Sequence, residues 1–225
     1  MDGRYSRNMP ALSAGECGLI RGKRVCVVGC GGRGGYVIEL LARAGVGALT
    51  VVDGDVFDAS NLNRQLLAEE EFIGRKKAEI AALRVGRINS DVEVTPAAEL
   101  FTEESGSRLL AGCDLAVDAL DSAESRLVLA EACAGAEINL VHGAISGWFA
   151  QAAVIAPGSG LMEKLYPPQS RQPPMRGNLG FAASICASVQ AAEAVKLLAG
   201  RPSALLGKLL LMDLRTMDFT TLEMN

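Results

Sequence analysis

The sequence predicts an α/β fold: a mainly parallel twisted sheet flanked by helices, with antiparallel strands towards the C-terminal end. Three observations carry this. Val25, Cys26, Val27 and Val28 run straight into glycine, the pattern of a strand buried on both faces of a parallel sheet. Gly29, Gly31, Gly32 and Gly34 follow at GxGGxG spacing, and a helical stripe of Val37, Leu40, Leu41 and Ala44 comes after them. A second strand, Leu49 to Val52, then delivers Asp53, about 20 residues beyond the last of those glycines. This is a Rossmann-like βαβ unit. Its glycines let a phosphate approach the backbone at the positive end of a helix, and its acid falls where a ribose hydroxyl would sit. It predicts a nucleotide without saying which one.

With 225 residues, 49% hydrophobic and 21% charged, the chain is long enough for one large domain and has an ordinary globular composition. The formal net charge of −4 gives no electrostatic reason to expect nucleic acid as a partner. The start, MDGRYSRN, is polar and charged, without a leader pattern. Leu179 to Ala199 is the most apolar long stretch, but it carries Ser184, Ser188, Gln190, Glu193 and Lys196 and reads as a packed helix, not a membrane span. The six cysteines (Cys17, Cys26, Cys30, Cys113, Cys133, Cys186) form no CxxC. Reduced, buried thiols in a cytoplasmic protein are expected, and a zinc site built from cysteine pairs is not.

Along the chain, Ser13 is placed to cap a short helix with Glu16 three residues on. Arg4 and Arg7 before it are either a solvated terminus or functional charges. Asp53 to Leu67 (DGDVFDASNLNRQLL) is a loop beside the expected ligand crevice, where Arg64 is either a phosphate ligand or half of a surface salt bridge. A helix is expected over Gly74 to Asn89, with Ile80, Leu83 and Ile88 inward and Arg75, Lys76, Lys77, Arg84 and Arg87 outward. Three cations at a helix start oppose its dipole, which implies something anionic nearby. Asp91 to Thr95 alternates as a third strand, and Thr102 caps a helix running to Leu110. Asp114 to Ala119 is a fourth strand that brings Asp118 and Asp121 to the crevice, unless Asp121 merely caps the helix that follows to Ala134. Ile138 to Val141 is a fifth strand, leading to His142, read as a hydrogen-bonded structural residue. Ala144 to Phe149 and Gln151 to Ile155 alternate as two antiparallel segments. Pro157 to Asn178 breaks every pattern and carries five of the eight prolines, so it reads as a functional loop. The helix Leu179 to Ala199 is expected to bury Ile185, Val189, Ala192 and Val195, and a ribbon turning at Asp213-Leu214-Arg215 ends the chain.

GxGGxG, DGD, SNLNRQ, Lys77 after Gly74, and DALDS, in this order and spacing, resemble the ThiF/MoeB/HesA superfamily, which shares the adenylation domain of ubiquitin-activating enzymes. RYSRN and QAAEAVKLLAG resemble that family's opening and late-helix motifs, so the likeness spans nearly the whole chain, 1–225, as a single domain. It implies an N-terminal segment over 4–20, a nucleotide-binding half over 24–143, and a carrier-binding half over 144–225 with a crossover loop at 157–178. It further implies ATP-dependent adenylation of the C-terminal glycine of a ubiquitin-like sulfur carrier, ThiS- or MoaD-like, ending in Gly-Gly. By this resemblance Gly29, Gly31, Gly32 and Gly34 take the phosphates and Asp53 the ribose. Asn61, Arg64 and Lys77 take the polyphosphate, with Asp55 and Gln65 beside them. Asp121 holds Mg²⁺, and Arg7 reaches the partner's site across a homodimer. The paired CxxC zinc ligands are absent, as in zinc-free branches, and the crossover loop has no cysteine for a covalent step. Ser122 and Arg33 stand where the family commonly has Asn and an aliphatic residue.

The βαβ unit alone also suits an NAD-dependent oxidoreductase, but a hydride enzyme has no need of Lys77, Arg64 and Asp121 together. A branch acting on a tRNA-bound carboxylate fits poorly with the acidic charge. A non-catalytic nucleotide-binding module is the remaining alternative.

Overall fold

The computed structural model describes residues 3–167 and 177–224. The apolar runs form one eight-stranded sheet in the order β3-β2-β1-β4-β5-β6-β7-β8. Strands β1 (Arg24–Val28), β2 (Ala48–Val52), β3 (Glu93–Ala97), β4 (Leu115–Asp118) and β5 (Asn139–Ser146) run parallel. Beyond them β6 (Phe149–Ile155), β7 (Lys208–Asp213) and β8 (Asp218–Glu223) are antiparallel. The expected fold class is the observed one. On one face lie α1 (Ala14–Arg21), α2 (Gly34–Ala44), α3 (Lys77–Ile88) and α7 (Gly180–Leu198). On the other lie α4 (Glu103–Leu109), α5 (Ala123–Gly135) and the short α6 (Leu161–Leu165). The strand order reverses between β1 and β4, and a crevice opens at their carboxyl ends, as such sheets require.

Ser13 and Thr102 both close full capping boxes, with Glu16 and Ser105. Other expectations need correction. Helix α3 starts at Lys77, not Gly74, because Lys76 keeps an extended backbone and Gly74 a positive φ of 83°. Its inward face is Ala78, Ile80, Ala81 and Val85, while Leu83 is 42% exposed. Lys77, expected outward, is 7% exposed. Strand β3 lies two residues later than expected, at an edge where Pro96 costs no ladder bond. The alternation after His142 is no separate strand: β5 runs on to Ser146, and Gly147 turns the chain into β6. Helix α6 interrupts the supposed patternless loop, of which residues 168–176 lie outside the described part. The buried stripe of α7 is Ala183, Cys186, Ala187, Gln190, Ala194 and Leu198, rotated from the one expected. Small side chains let α7 pack closely between α2 and strands β5 and β6, so the bulkier Val189 and Val195 end up at the margin, half-buried. By length and composition alone this helix could span a membrane, but half of that stretch is buried inside the protein. All six cysteines are free and buried.

Candidate active site

A cavity of about 1280 Å³ occupies the crevice, larger than the roughly 300–1,000 Å³ of a typical small-molecule pocket. One wall is the β1–α2 turn. A Cβ at Gly29 would meet Ala119 O at 2.7 Å, and one at Gly34 would meet Gly29 O at 1.8 Å, so these two glycines close the turn itself. Gly34 does not line the cavity, whereas Gly29, Gly31 and Gly32 do. The carboxylate of Asp53, at the end of β2, accepts the Cys30 amide at 2.7 Å and the Asp55 amide at 2.9 Å, which fixes it at the cavity edge.

The cations stand opposite. The Lys77 ammonium is buried and lies 3.1 Å from the Asp55 carboxylate. Lys76 turns away to donate to Gly54 O at 2.7 Å, so of the basic trio only Lys77 lines the cavity. Arg64, also lining it, is held by Ser60 O and Asn63 Oδ1, both at 2.8 Å. Gln65 is buried against Gly31, and its Oε1 has no partner among the described residues. Asn61 is not among the lining residues: its Oδ1 accepts the Asp58 amide in a capping box of the turn Ala59–Asn61. The turn thus uses the amide oxygen, while Asn61 Nδ2 lies 3.4 Å from Ser60 Oγ. Asp121 is exposed on the far wall and is not the helix cap; Ser122 is, accepting from the Ser125 amide at 3.1 Å. Among the described residues no group of three His, Cys, Asp or Glu gathers to hold a metal.

Arg7 is not brought to this cavity. It is exposed on the segment Gly3–Asn8, whose Tyr5 packs on Gly45 at the opposite end of α2, and an 11-residue helix is about 16 Å long.

Beneath the cavity lies a polar cluster in which Asp118 and His142, both singled out in the sequence, meet Arg126 and Tyr166, which were not. Asp118 is fully buried, and its Oδ2 lies 2.6 Å from His142 Nδ1. Burial alone would raise its pKa, but the hydrogen bond from His142 and the nearby charges of Arg126 and Arg33 outweigh burial and hold it below the usual carboxylate range. Burial pushes the imidazole of His142 down despite Asp118, keeping the ring neutral with its proton on Nδ1. Its Nε2 then accepts the Tyr166 hydroxyl at 3.2 Å, and Gln151 donates to that hydroxyl at 3.0 Å. Arg126 lies over the Tyr166 ring, donates to Leu120 O at 2.6 Å and pairs with Asp118 at 3.5 Å. His142 is thus the hydrogen-bonded residue expected. Arg126 could have been found in the sequence: it shares the buried face of α5 with Leu129 and Cys133, a charge on an apolar stripe.

The ThiF family model matches residues 5–225. The chain belongs to the ThiF family. This ThiF-family chain is 38% identical over 225 residues to the SAMP-activating enzyme E1 of Haloferax volcanii, covering 97% of this chain and 83% of the relative. It is 31% identical to the molybdopterin-synthase adenylyltransferase of Escherichia coli K12, covering 91% of this chain and 84% of the relative. Against the bovine adenylyltransferase and sulfurtransferase MOCS3 it is 35% identical, but spans 50% of that longer protein. In fold it resembles Escherichia coli MccB, with a TM-score of 0.85 at 20% identity, covering the whole of this chain and 72% of that one.

Proposed function

We propose that this chain is an ATP-dependent adenylyltransferase. It activates the C-terminal glycine carboxylate of a small ubiquitin-like carrier as an acyl adenylate and releases pyrophosphate. One observation carries the reading: a cavity that gathers an open glycine turn, a ribose-type acid at β2, and the cations Lys77 and Arg64. The names of the relatives, an E1-type activating enzyme and adenylyltransferases, support it. The cavity's excess volume leaves room for a peptide tail beside a nucleotide.

The chemistry asks for positioning and charge neutralisation more than for covalent help. A carboxylate oxygen attacks the α-phosphorus, and the bond to pyrophosphate breaks. Gly31 and Gly32 let the phosphates approach the backbone, while Lys77 and Arg64 balance charge gathering on the leaving group. Asp53 fixes the ribose. Asp121, a single hard-oxygen ligand engaging no side chain among the described residues, fits Mg²⁺ held chiefly by phosphates and water, which would add charge neutralisation. Arg7, remote from its own cavity, serves the partner's site in a homodimer. The carrier is ThiS- or MoaD-like, in thiamine or molybdopterin sulfur chemistry, and the protein works in the cytoplasm, where six free thiols stay reduced. No cysteine lies in 157–178, so the product is the acyl adenylate itself.

The test is ATP–pyrophosphate exchange with a panel of ubiquitin-like proteins ending in Gly-Gly, beside thermal shifts with ATP and NADH. Exchange that depends on one carrier, with stabilisation by ATP, is expected. Stabilisation by NADH and none by ATP would overturn the reading.

A further inference from the structure

Arg33 sits at the cap position of α2, the residue before Gly34, and is only 4% exposed while lining the cavity. Its guanidinium donates to Asp118 O at 2.8 Å, Leu120 O at 2.5 Å and Gly143 O. These carbonyls lie where β4 and β5 part beyond the pair Val117–Val141. Gln190 spans the same gap from α7, donating to Asp118 O at 2.7 Å and Val141 O at 3.2 Å. A neutral amide thus shares in bracing it, and hydrogen bonding to carbonyls does not by itself call for the charge on Arg33.

That charge also lacks a counter-ion. Among the described residues no carboxylate forms an ion pair with Arg33; the nearby Asp118 carboxylate is engaged by His142 and Arg126. Two buried guanidinium groups thus face one carboxylate and a neutral imidazole, leaving an excess positive charge under the cavity. The N-terminus of α2 adds to it with the same sign, so a cation here is doubly disfavoured until an anion arrives.

We propose that Arg33 is a specificity-determining residue of the nucleotide site: its fixed charge behind the glycine turn selects ligands by their phosphate charge. The inference rests on the nucleotide reading above. The braced guanidinium is held in place before binding, so no side-chain ordering opposes the interaction. The charge of Lys77, by contrast, is already met by Asp55.

The experiment titrates wild type, R33Q and R33K with ATP, AMP and adenosine by calorimetry. R33Q keeps a donor for the carbonyls but no charge. It should bind ATP about tenfold more weakly, AMP weakened by less, and adenosine within about twofold of wild type. R33K keeps the charge and should stay closer to wild type for ATP, even if it melts earlier. Equal weakening of all three ligands in R33Q, or a folded R33K as poor for ATP as R33Q, would reduce Arg33 to a brace and overturn the proposal. Should R33Q not fold, R33M replaces it with the same expected pattern. If wild type binds none of the three, the nucleotide reading itself falls.

Discussion

Lys77 shows at the scale of one residue why a lysine at a helix start is informative. Its ammonium is buried, 3.1 Å from the exposed Asp55 carboxylate, and open to the cavity. Lys77→Ala should lower pyrophosphate exchange by about 10²–10³, the loss typical of one preorganised charge-stabilising group, with the fold retained. Circular dichroism beside the exchange assay checks this; exchange near the wild-type rate would remove Lys77 from the site. His142 gives a second prediction. It is the chain's only histidine, and its folded pKa lies below the ordinary 6.5. The unfolded chain therefore takes up the proton first on acidification. The stability linked to His142 is fully present above pH 6.5 and is lost as pH falls from there towards the folded value. Asp118, depressed below 3.8, acts only at lower pH. The melting temperature should fall between about pH 7.5 and about pH 5.5, and His142→Gln should flatten that fall. An unchanged slope in the variant would assign it to other groups.

The β1–α2 turn is the element on which the site depends, and its glycines divide by role. Gly34→Ala would put a methyl 1.8 Å from Gly29 O, and the turn must open to admit it. A loss of more than about 3 kcal/mol, or failure to fold, is expected in urea titration. Gly31→Ala would place its methyl 3.4 Å from the Gln65 amide nitrogen, an ordinary contact. It should fold with a midpoint near wild type yet lose most of its stabilisation by ATP, because the methyl narrows the phosphate approach. Equal unfolding midpoints for the two variants would contradict this division. Sequence shows four glycines at one spacing; only the closed turn shows that Gly29 and Gly34 close on backbone while Gly31 and Gly32 are open to the cavity.

For the whole molecule, the proposed homodimer is tested through Arg7 and Asp121. They lie near opposite ends of α2 in one chain, so a shared site needs two chains. Arg7→Ala and Asp121→Ala homodimers should each be nearly inactive in exchange. Co-expressed with different tags, they form heterodimers in which one site has both groups and the other neither. Activity should return towards about half of wild type per heterodimer. No recovery in purified heterodimers would show that Arg7 serves its own chain; full activity of Arg7→Ala alone would make it a solvated terminus.

The sequence by itself determined the parallel α/β core, the βαβ unit, the two capping boxes and the C-terminal ribbon, and it pointed to Gly31, Gly32 and Asp53 in the cavity's lining, with Arg64, Lys77 and Asp121 added by the family resemblance. Apart from those three, these are local signals, set by residue period, turn chemistry and short spacing. Tertiary structure decided the rest. The face that α7 buries depended on how closely α2 could approach, not on where its largest side chains stood. The Asn61 amide oxygen was taken up by its own turn, and Arg7 was carried to the far end of α2. The cluster of Arg33, Asp118, Arg126, His142 and Tyr166 draws on five separate segments, whose meeting no spacing along the chain records. Burial then decides which of those groups carry charge, because desolvation and the neighbouring ions act only once the chain has closed around them.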